Sequence, residues 1–509
     1  MRIVAACFLF VSVVAEMGFG QTGVAITGKV TDPNGIGLPN AVVRLAIADL
    51  ETETDASGNY ALGTAKVVVR QLLAAKSGVS AKPIMEAGKV LFSTSGDNSS
   101  VKISINDLSG KLVRNILSTK LNSGNYSVVV DDHKLALQTY VLTVNINGFS
   151  HAMKFTPMGF GTFSSLNPVS DGQLSALKKA AATNDTIKVT KPGYSLGKQA
   201  ADVSTGTYNF SLTKTSTWNG DTAAFWGDVS KYPTNGIQYI ILNRTNGAFP
   251  DSKIYWSDQQ GGTKIPLSQQ STYHATANGR FYIWIAPNDS GNRYFDFIEV
   301  NINGLAWYGN TTQVDGWRLP ISFRIHSSDG QDNTLGSIYE MFYQSRKSKF
   351  DEFINEVPKE FVGLATHDFA NIWAPHTSPV NIFNTNGPYA NYFTAYQAQV
   401  AAAQSGAPSP VSTYNIFACA GDAGGMGSSP DYSAAINRHV GTLPQGTNKS
   451  NWYNDTNFYK ASPCNYYSKW CHRRSLRNMC YGFPYDDDGG HAAYLGQQNV
   501  QWLAIAIGW

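Results

Sequence analysis

The strongest constraint in this chain is a hydrophobic period of two. Residues 294–304 read Tyr-Phe-Asp-Phe-Ile-Glu-Val-Asn-Ile-Asn-Gly. Successive side chains of an extended strand point to opposite faces. Ile298, Val300 and Ile302 therefore share one face, and Phe297, Glu299, Asn301 and Asn303 share the other. The same alternation recurs in Ile103-Ser104-Ile105, in Tyr140-Val141-Leu142-Thr143-Val144 and in strand-like runs such as Phe281–Ile285. These runs are short and are cut by Gly, Pro, Asn and Asp turns. The expected fold is mainly β.

The first residues set the compartment. Met1-Arg2 is a positive start, and Ile3 to Val14 is an almost unbroken apolar run. That run is too short to span a bilayer as a helix, and small residues follow it. Residues 1–20 read as a secretory signal peptide, so the expected protein is secreted, with no membrane segment after cleavage. Only 15% of the 509 residues are charged and the net charge is +3. Such a balance gives no footprint for nucleic acid. Four cysteines remain after the signal: Cys419, Cys464, Cys471 and Cys480. In an exported chain an even number predicts two disulfides in one of three pairings. Their spacings match no common zinc pattern, so no metal and no cofactor is expected.

Turn signals divide the chain. Residues 22–75 carry Asp32-Pro33-Asn34-Gly35 and Ser57-Gly58-Asn59 between alternating runs. They resemble the carboxypeptidase regulatory-like β-sandwich through Gly28, Val30, Asp32, Gly35, Pro39, Ala41, Val43 and the Asp55-Gly58-Tyr60 turn. Residues 85–157 resemble a small Ig-like module. Residues 158–184 are Gly-, Ser- and Ala-rich and read as a linker. Residues 185–214 are either a further β fragment or the entry to the main domain. All 11 tryptophans lie from Trp218 to Trp509, which marks 215–509 as a domain of different character.

Chemistry concentrates around the strand of Glu299. A hairpin tip near Trp307 would set Glu299 opposite Asp315, Asn301 opposite Gln313 and Asn303 opposite Thr311. Two carboxyls on one face are the equipment of glycoside hydrolysis, and the amides beside them suit hydroxyl groups. An ordinary solvent face gives the same alternation. Trp307, Tyr308 and Trp317 stand near the acids, for stacking on sugar rings or for packing. Asp486-Asp487-Asp488-Gly489-Gly490 fails the alternate-ligand spacing of a calcium loop. Asp486 and Asp487 either line a cleft or form a plain Asp-Gly turn. Residues from Tyr343 to Val357 read as an amphipathic helix with Phe350, Phe353, Ile354 and Val357 inward and its acids in solvent.

Asp296-Phe297-Ile298-Glu299, followed by Thr312-Gln313-Val314-Asp315 and Leu319-Pro320-Ile321, resembles glycoside hydrolase family 64. Phe350-Asp351-Glu352-Phe353, Val357-Pro358-Lys359-Glu360-Phe361, Tyr485-Asp486-Asp487 and Gly508-Trp509 extend the likeness over about residues 216–509. The resemblance implies a β-1,3-glucanase: a thaumatin-like β-barrel beside a mixed α/β domain, with a cleft holding the glucan chain. It implies Glu299 as general acid and Asp315 as general base, acting with inversion. Asn301, Asn303, Trp307, Tyr308, Gln313, Asp486 and Asp487 are the expected substrate contacts, β-1,3-glucan the partner, and a monomer the expected state. Inverting carboxyls stand about 6.5–9.5 Å apart, whereas directly opposed hairpin residues have Cβ atoms about 5 Å apart. The competing readings are a glucan-binding protein without catalysis and a surface adhesin.

Overall fold

The computed structural model describes residues 25–46, 50–63, 83–86, 89–94, 98–107, 110–122, 124–129, 140–155, 166–169, 185–201, 205–285, 294–404, 410–420, 431–487 and 489–509. The signal segment, residues 1–20, lies outside them. The described chain is mainly β, as the alternation predicts. It divides into two compact units.

The smaller unit holds most of residues 63–185. One antiparallel sheet has the order Phe149–Phe155, Tyr140–Ile146, Ser99–Asn106, Leu112–Leu121. The other runs Leu166–Val169, Gly124–Val129, Lys89–Thr94, Ile84–Glu86. Alternate residues Val101, Ile103 and Ile105 meet Leu142, Val144 and Ile146 in its core. Leu166–Val169 lies in the stretch expected to be linker, yet it pairs with Gly124–Val129.

The larger unit begins with a second small β-sandwich, built from two separate stretches of sequence. Val42–Leu45 pairs with Leu50–Glu53 on one side and with Asp185–Thr190 on the other. Ala25–Thr31 runs parallel to Phe210–Ser211, with Val30 facing Phe210. The segment 185–214 supplies strands that complete the sheets begun at 25–63. Local reading missed this because strand pairing is non-local and the two halves are far apart in sequence.

The main body follows in the same unit. A five-stranded sheet has the order Thr272–His274, Gln238–Asn243, Val500–Ile507, Ile321–Ser327, Asp332–Gly336. A six-stranded sheet has the order Ile265–Pro266, Ile254–Ser257, Gly279–Ile285, Tyr294–Asn303, Ala306–Thr311, Tyr494–Gln497. Both inner faces contribute to one core, with Tyr239, Phe323, Leu503 and Ile505 from the first and Trp256, Phe281, Ile298 and Trp307 from the second. Both sheets are open, and no closed barrel forms among the described residues, which corrects the expected barrel. One edge is a two-residue strand ending in Pro266, whose missing N–H cannot extend a ladder.

The remainder is mixed, largely helical with a short ribbon. Its helices include Arg346–Glu356, Thr394–Ala403, Asp431–Asn437 and Tyr466–Arg473. The strands Gly316–Trp317 and Ile372–Trp373 form a two-stranded ribbon beside them. Ser345 caps Arg346–Glu356 by accepting from the Ser348 N–H, and Phe350 and Phe353 are buried as predicted. The acids of that helix divide. Asp351 pairs with Lys347 in solvent, but Glu352 and Glu356 are buried against Arg474, contrary to the solvated face expected.

Two elements of the larger unit are joined by buried charge. Glu51, in the strand Leu50–Glu53, meets Arg473 at 2.6 Å and Lys469 at 2.8 Å, both on the helix Tyr466–Arg473. Arg473 also reaches Glu53 at 2.6 Å and Glu356 at 2.9 Å.

Candidate active site

The strand Tyr294–Asn303 places its residues on the faces read from its alternation. Ile298 and Val300 enter the core. Glu299 is half-buried on the outer face, with Asn301 and Asn303 exposed beyond it. The register differs from the expectation. Glu299 lies opposite Asn310, Asn301 opposite Tyr308 and Asn303 opposite Ala306. The tip is Gly304-Leu305, and Gly304 has φ +62°. A two-residue turn with glycine first matches the twist of paired strands, so the chain reverses before Trp307.

That earlier reversal has consequences. Trp307 becomes a core residue with no exposure, donating from Nε1 to the Tyr239 hydroxyl at 2.9 Å. It is not a stacking surface. Trp317 is likewise buried, against Phe350 and Trp470. Tyr308 keeps to the outer face, its hydroxyl accepting from Gln498 at 2.7 Å. Asp315 falls past the end of the return strand at Thr311, so it is not the direct partner of Glu299. The short spacing of opposed hairpin residues therefore does not apply to this pair.

Glu299 is held by two neighbours on its own face. Arg280 approaches Oε1 at 3.2 Å, and the Asn310 amide donates to Oε2 at 3.2 Å. Arg280 itself lies 4.2 Å over the Phe297 ring. Both contacts orient the carboxyl and leave it partly open.

Asp315 is positioned through its backbone. Thr377 donates from its hydroxyl to the Asp315 carbonyl at 2.6 Å. Gly316 has φ +145°, and a Cβ there would stand 3.0 Å from the Ile372 carbonyl. Gln313 donates its N–H to the Tyr481 carbonyl, and its own carbonyl accepts from the Tyr467 hydroxyl at 2.6 Å. The Gln313 side chain is buried and accepts from the Cys480 thiol at 3.1 Å. It holds the Asp315 loop rather than facing a ligand, which corrects its expected role in contacting substrate.

Asp486 and Asp487 part company. Asp486 has no exposure. It accepts from His472 at 2.9 Å, Ser468 at 3.1 Å, the Gly482 N–H at 3.0 Å and Arg438 at 3.0 Å. Burial alone would push its carboxyl up. The charge and hydrogen bond of His472, then the charge of Arg438, outweigh burial and hold it below the ordinary range. It is an anchor and does not line a cleft. Asp487 is exposed, 3.4 Å from the Tyr481 hydroxyl. Burial raises the Tyr481 hydroxyl, and the charges of Asp487 and, more weakly, Glu299 add to it. Tyr481 therefore joins the Asp315 loop to Asp487: its carbonyl accepts from the Gln313 N–H and its hydroxyl reaches Asp487.

Three contributors escaped the sequence reading. His376 is mostly buried beside Asp315. Burial lowers its imidazole while the Asp315 charge opposes the shift, and its Nδ1 has no hydrogen-bond partner among the described residues. Asp296 is buried and accepts from the backbone N–H groups of Arg318 and Leu319 at 3.3 and 3.2 Å. Burial pushes Asp296 up to about 6 against the lowering effect of Arg318 and those N–H groups. Arg346 spends its guanidinium on the carbonyls of Arg318 and Ala370, each at 2.8 Å. Asp296 and Arg346 fasten the segment after Asp315 to the Glu299 strand and to the helices. No local pattern marks either, because their partners are backbone groups far along the chain.

All four cysteines are thiols, not the two disulfides expected. Cys464, Cys471 and Cys480 are buried, where a thiol serves as a small apolar side chain. No cluster of His, Cys, Asp and Glu suited to a metal occurs among the described residues.

Comparison with known proteins adds a direction. A family model described as Glyco_hydro_64, beta-1,3-glucanase, matches residues 403–507. Glucan endo-1,3-beta-glucosidases of Cellulosimicrobium cellulans and of Arthrobacter sp. (strain YCWD3) are each 23% identical over 290 residues, covering 48% of this chain and 52% of the relative. The chain thus spans about half the length of the curated relatives it matches. Among solved structures, a β-1,3-glucanase domain (GH64) from Clostridium beijerinckii is 21% identical, with a TM-score of 0.46 over 55% of this chain and 100% of that one. A GH family 64 laminaripentaose-producing β-1,3-glucanase from Paenibacillus barengoltzii, complexed with laminarihexaose, is 22% identical, with a TM-score of 0.46 over 85% and 99%.

Proposed function

We propose that this chain is a glycoside hydrolase of the family 64 type that cleaves β-1,3-glucan within the chain. The observation that carries the reading is the acid pair. Glu299 and Asp315 are both partly accessible and sit on separately braced segments. The family match over 403–507 and the names of the curated relatives supply the substrate class.

In this reading Glu299 protonates the glycosidic oxygen as its bond to the anomeric carbon breaks. Asp315 takes a proton from a water that attacks that carbon from the opposite face, and the configuration inverts. An inverting pair needs room for the water between the carboxyls, and the absence of direct pairing between Glu299 and Asp315 leaves the geometry free to provide it. Asn301, Asn303, Tyr308 and Asp487 are the proposed contacts to sugar hydroxyls and rings. Export is part of the proposal, supported by the apolar run Ile3–Val14. No helix among the described residues is long and apolar enough to cross a membrane.

The test is incubation with laminarin and with cellulose, comparing the wild type with Glu299→Gln. The wild type is expected to release oligosaccharides from laminarin and not from cellulose. The variant is expected to lose activity by about a hundredfold or more, the usual scale of general acid catalysis. Proton NMR of the first products reads the stereochemistry, and a new α reducing end marks inversion. A wild type inert on laminarin removes the enzyme reading in favour of a non-catalytic glucan binder or adhesin. Unchanged cleavage by the variant removes Glu299 from the role.

A further inference from the structure

The outer face of the six-stranded sheet continues past the acid. Arg280, Glu299, Asn310 and Tyr494 lie directly opposite one another on four neighbouring strands. Opposed residues of antiparallel strands point to the same side, so these four form one row on the outer face, with Asn310 the buried member between Glu299 and Tyr494. Strands are about 4.8 Å apart. Tyr494 therefore stands about 10 Å from the strand of Glu299, across the Asn310 amide, at the edge of the sheet.

The row changes character along its length. Its Arg280 end rests on Phe297, in an aromatic group with Tyr282 and Trp284 that is buried. Its other end is open: Tyr494 is 53% exposed. The next row on the same face holds Asn301, Tyr308 and Gly496. A Cβ at Gly496 would stand 2.8 Å from the Tyr308 ring, so the glycine lets that ring lie against the edge strand. Tyr308 and Tyr494 thus flank the same edge, with Asn301 beside them. An isolated exposed tyrosine calls for no explanation. An exposed tyrosine in register with an acid and an amide, beside a second ring, makes an aromatic surface with hydrogen-bonding groups at one end. The C–H-bearing face of a pyranose fits such a surface, and the phenol keeps its hydroxyl in water.

We propose that Tyr494 is a sugar-stacking platform that binds a glucose unit beyond the one being cleaved, so that the glucan runs across the strands from Glu299 to the sheet edge. The proposal rests on the glucanase reading. It adds a binding position and a direction for the chain.

The experiment measures KM and kcat of the wild type, Tyr494→Ala and Phe149→Ala on laminarin and on short β-1,3-oligosaccharides. Phe149 is an exposed aromatic in the smaller unit and serves as control. Tyr494→Ala is expected to raise KM on laminarin about tenfold with kcat little changed, the scale of one aromatic contact. The effect is expected to shrink on oligosaccharides too short to reach the edge. Calorimetric binding of a long oligosaccharide to Glu299→Gln, with and without Tyr494→Ala, reads the same loss without turnover. Equal KM in Tyr494→Ala and wild type, with equal binding in the Glu299→Gln pair, overturns the platform. A wild type that does not cleave laminarin overturns the glucanase reading instead.

Discussion

At the scale of single residues, adjacent acids divide into one that builds the site and one that faces solvent. Asp486 and Asp487 are neighbours in sequence, yet one is sealed and the other exposed. Asp486→Asn leaves Arg438 and His472 buried without their carboxylate. Breaking a buried pair from one side costs about 3–5 kcal/mol, so a large fall in the urea midpoint is expected. The pH dependence gives a second readout. The Asp486 carboxyl is held below its unfolded value. Its contribution is therefore complete above the unfolded carboxylate range and is lost as pH falls through the folded value. Wild-type stability is expected to drop on acidification where the variant's is flatter. Equal stability of the two proteins at neutral pH would remove Asp486 as an anchor. The sequence made both aspartates visible as a turn. It did not say which one points inward, because that depends on Arg438, 48 residues earlier in the chain.

At the scale of elements, the face of the Glu299 strand was legible and its partner register was not. Face follows from alternation alone, which is local. Register follows from where the turn falls, and here the tight turn at Gly304-Leu305 outweighs the longer loop that a tip at Trp307 requires. Moving the tip carries Trp307 from the turn into the core and Asp315 from the hairpin into the loop behind it. The mainly β class was equally legible, since short alternating runs cannot be buried as helices. The openness of the two sheets was not, because closure depends on how edge strands meet. Asp315 depends in turn on the ribbon that follows it. Gly316 adopts φ +145° close to the Ile372 carbonyl, a conformation that side chains rarely take. Gly316→Ala is expected to cost about 1–3 kcal/mol and to lower kcat more than stability accounts for, because the ribbon shifts Asp315 with it. Single-turnover rates beside thermal unfolding separate the two effects. A variant with wild-type kcat would show that the placement of Asp315 does not depend on this glycine.

At the scale of the whole chain, the β-sandwich built from 25–63 and 185–214 is part of the larger unit rather than a bead on a tether. Its sheets are completed by strands from 185–214, and its strand Leu50–Glu53 grips the helix Tyr466–Arg473 through buried charges. The same helix carries Ser468 and His472, which hold Asp486, and the segment after it carries Tyr481. A line of contacts thus runs from Glu51 through Arg473 and its helix to Asp486 and, through the Tyr467 hydroxyl, to the Gln313 carbonyl of the Asp315 loop. Glu51 is buried. Its carboxyl is held far below the ordinary range because Arg473 and Lys469 together outweigh its desolvation. Removing the charge reverses that balance. Glu51→Gln leaves the half-buried Arg473 and Lys469 short of a carboxylate, and a loss of about 3 kcal/mol is expected. Because the network is buried, added salt is expected to restore little of it, unlike a surface pair. Cooperativity supplies the sharper test. In the wild type the sandwich and the main body are expected to unfold together. In Glu51→Gln the sandwich is expected to come away first, giving two transitions by calorimetry and early protease cleavage near residue 63. A single unshifted transition in the variant would show that apolar packing, and not this charge cluster, binds the sandwich to the helix.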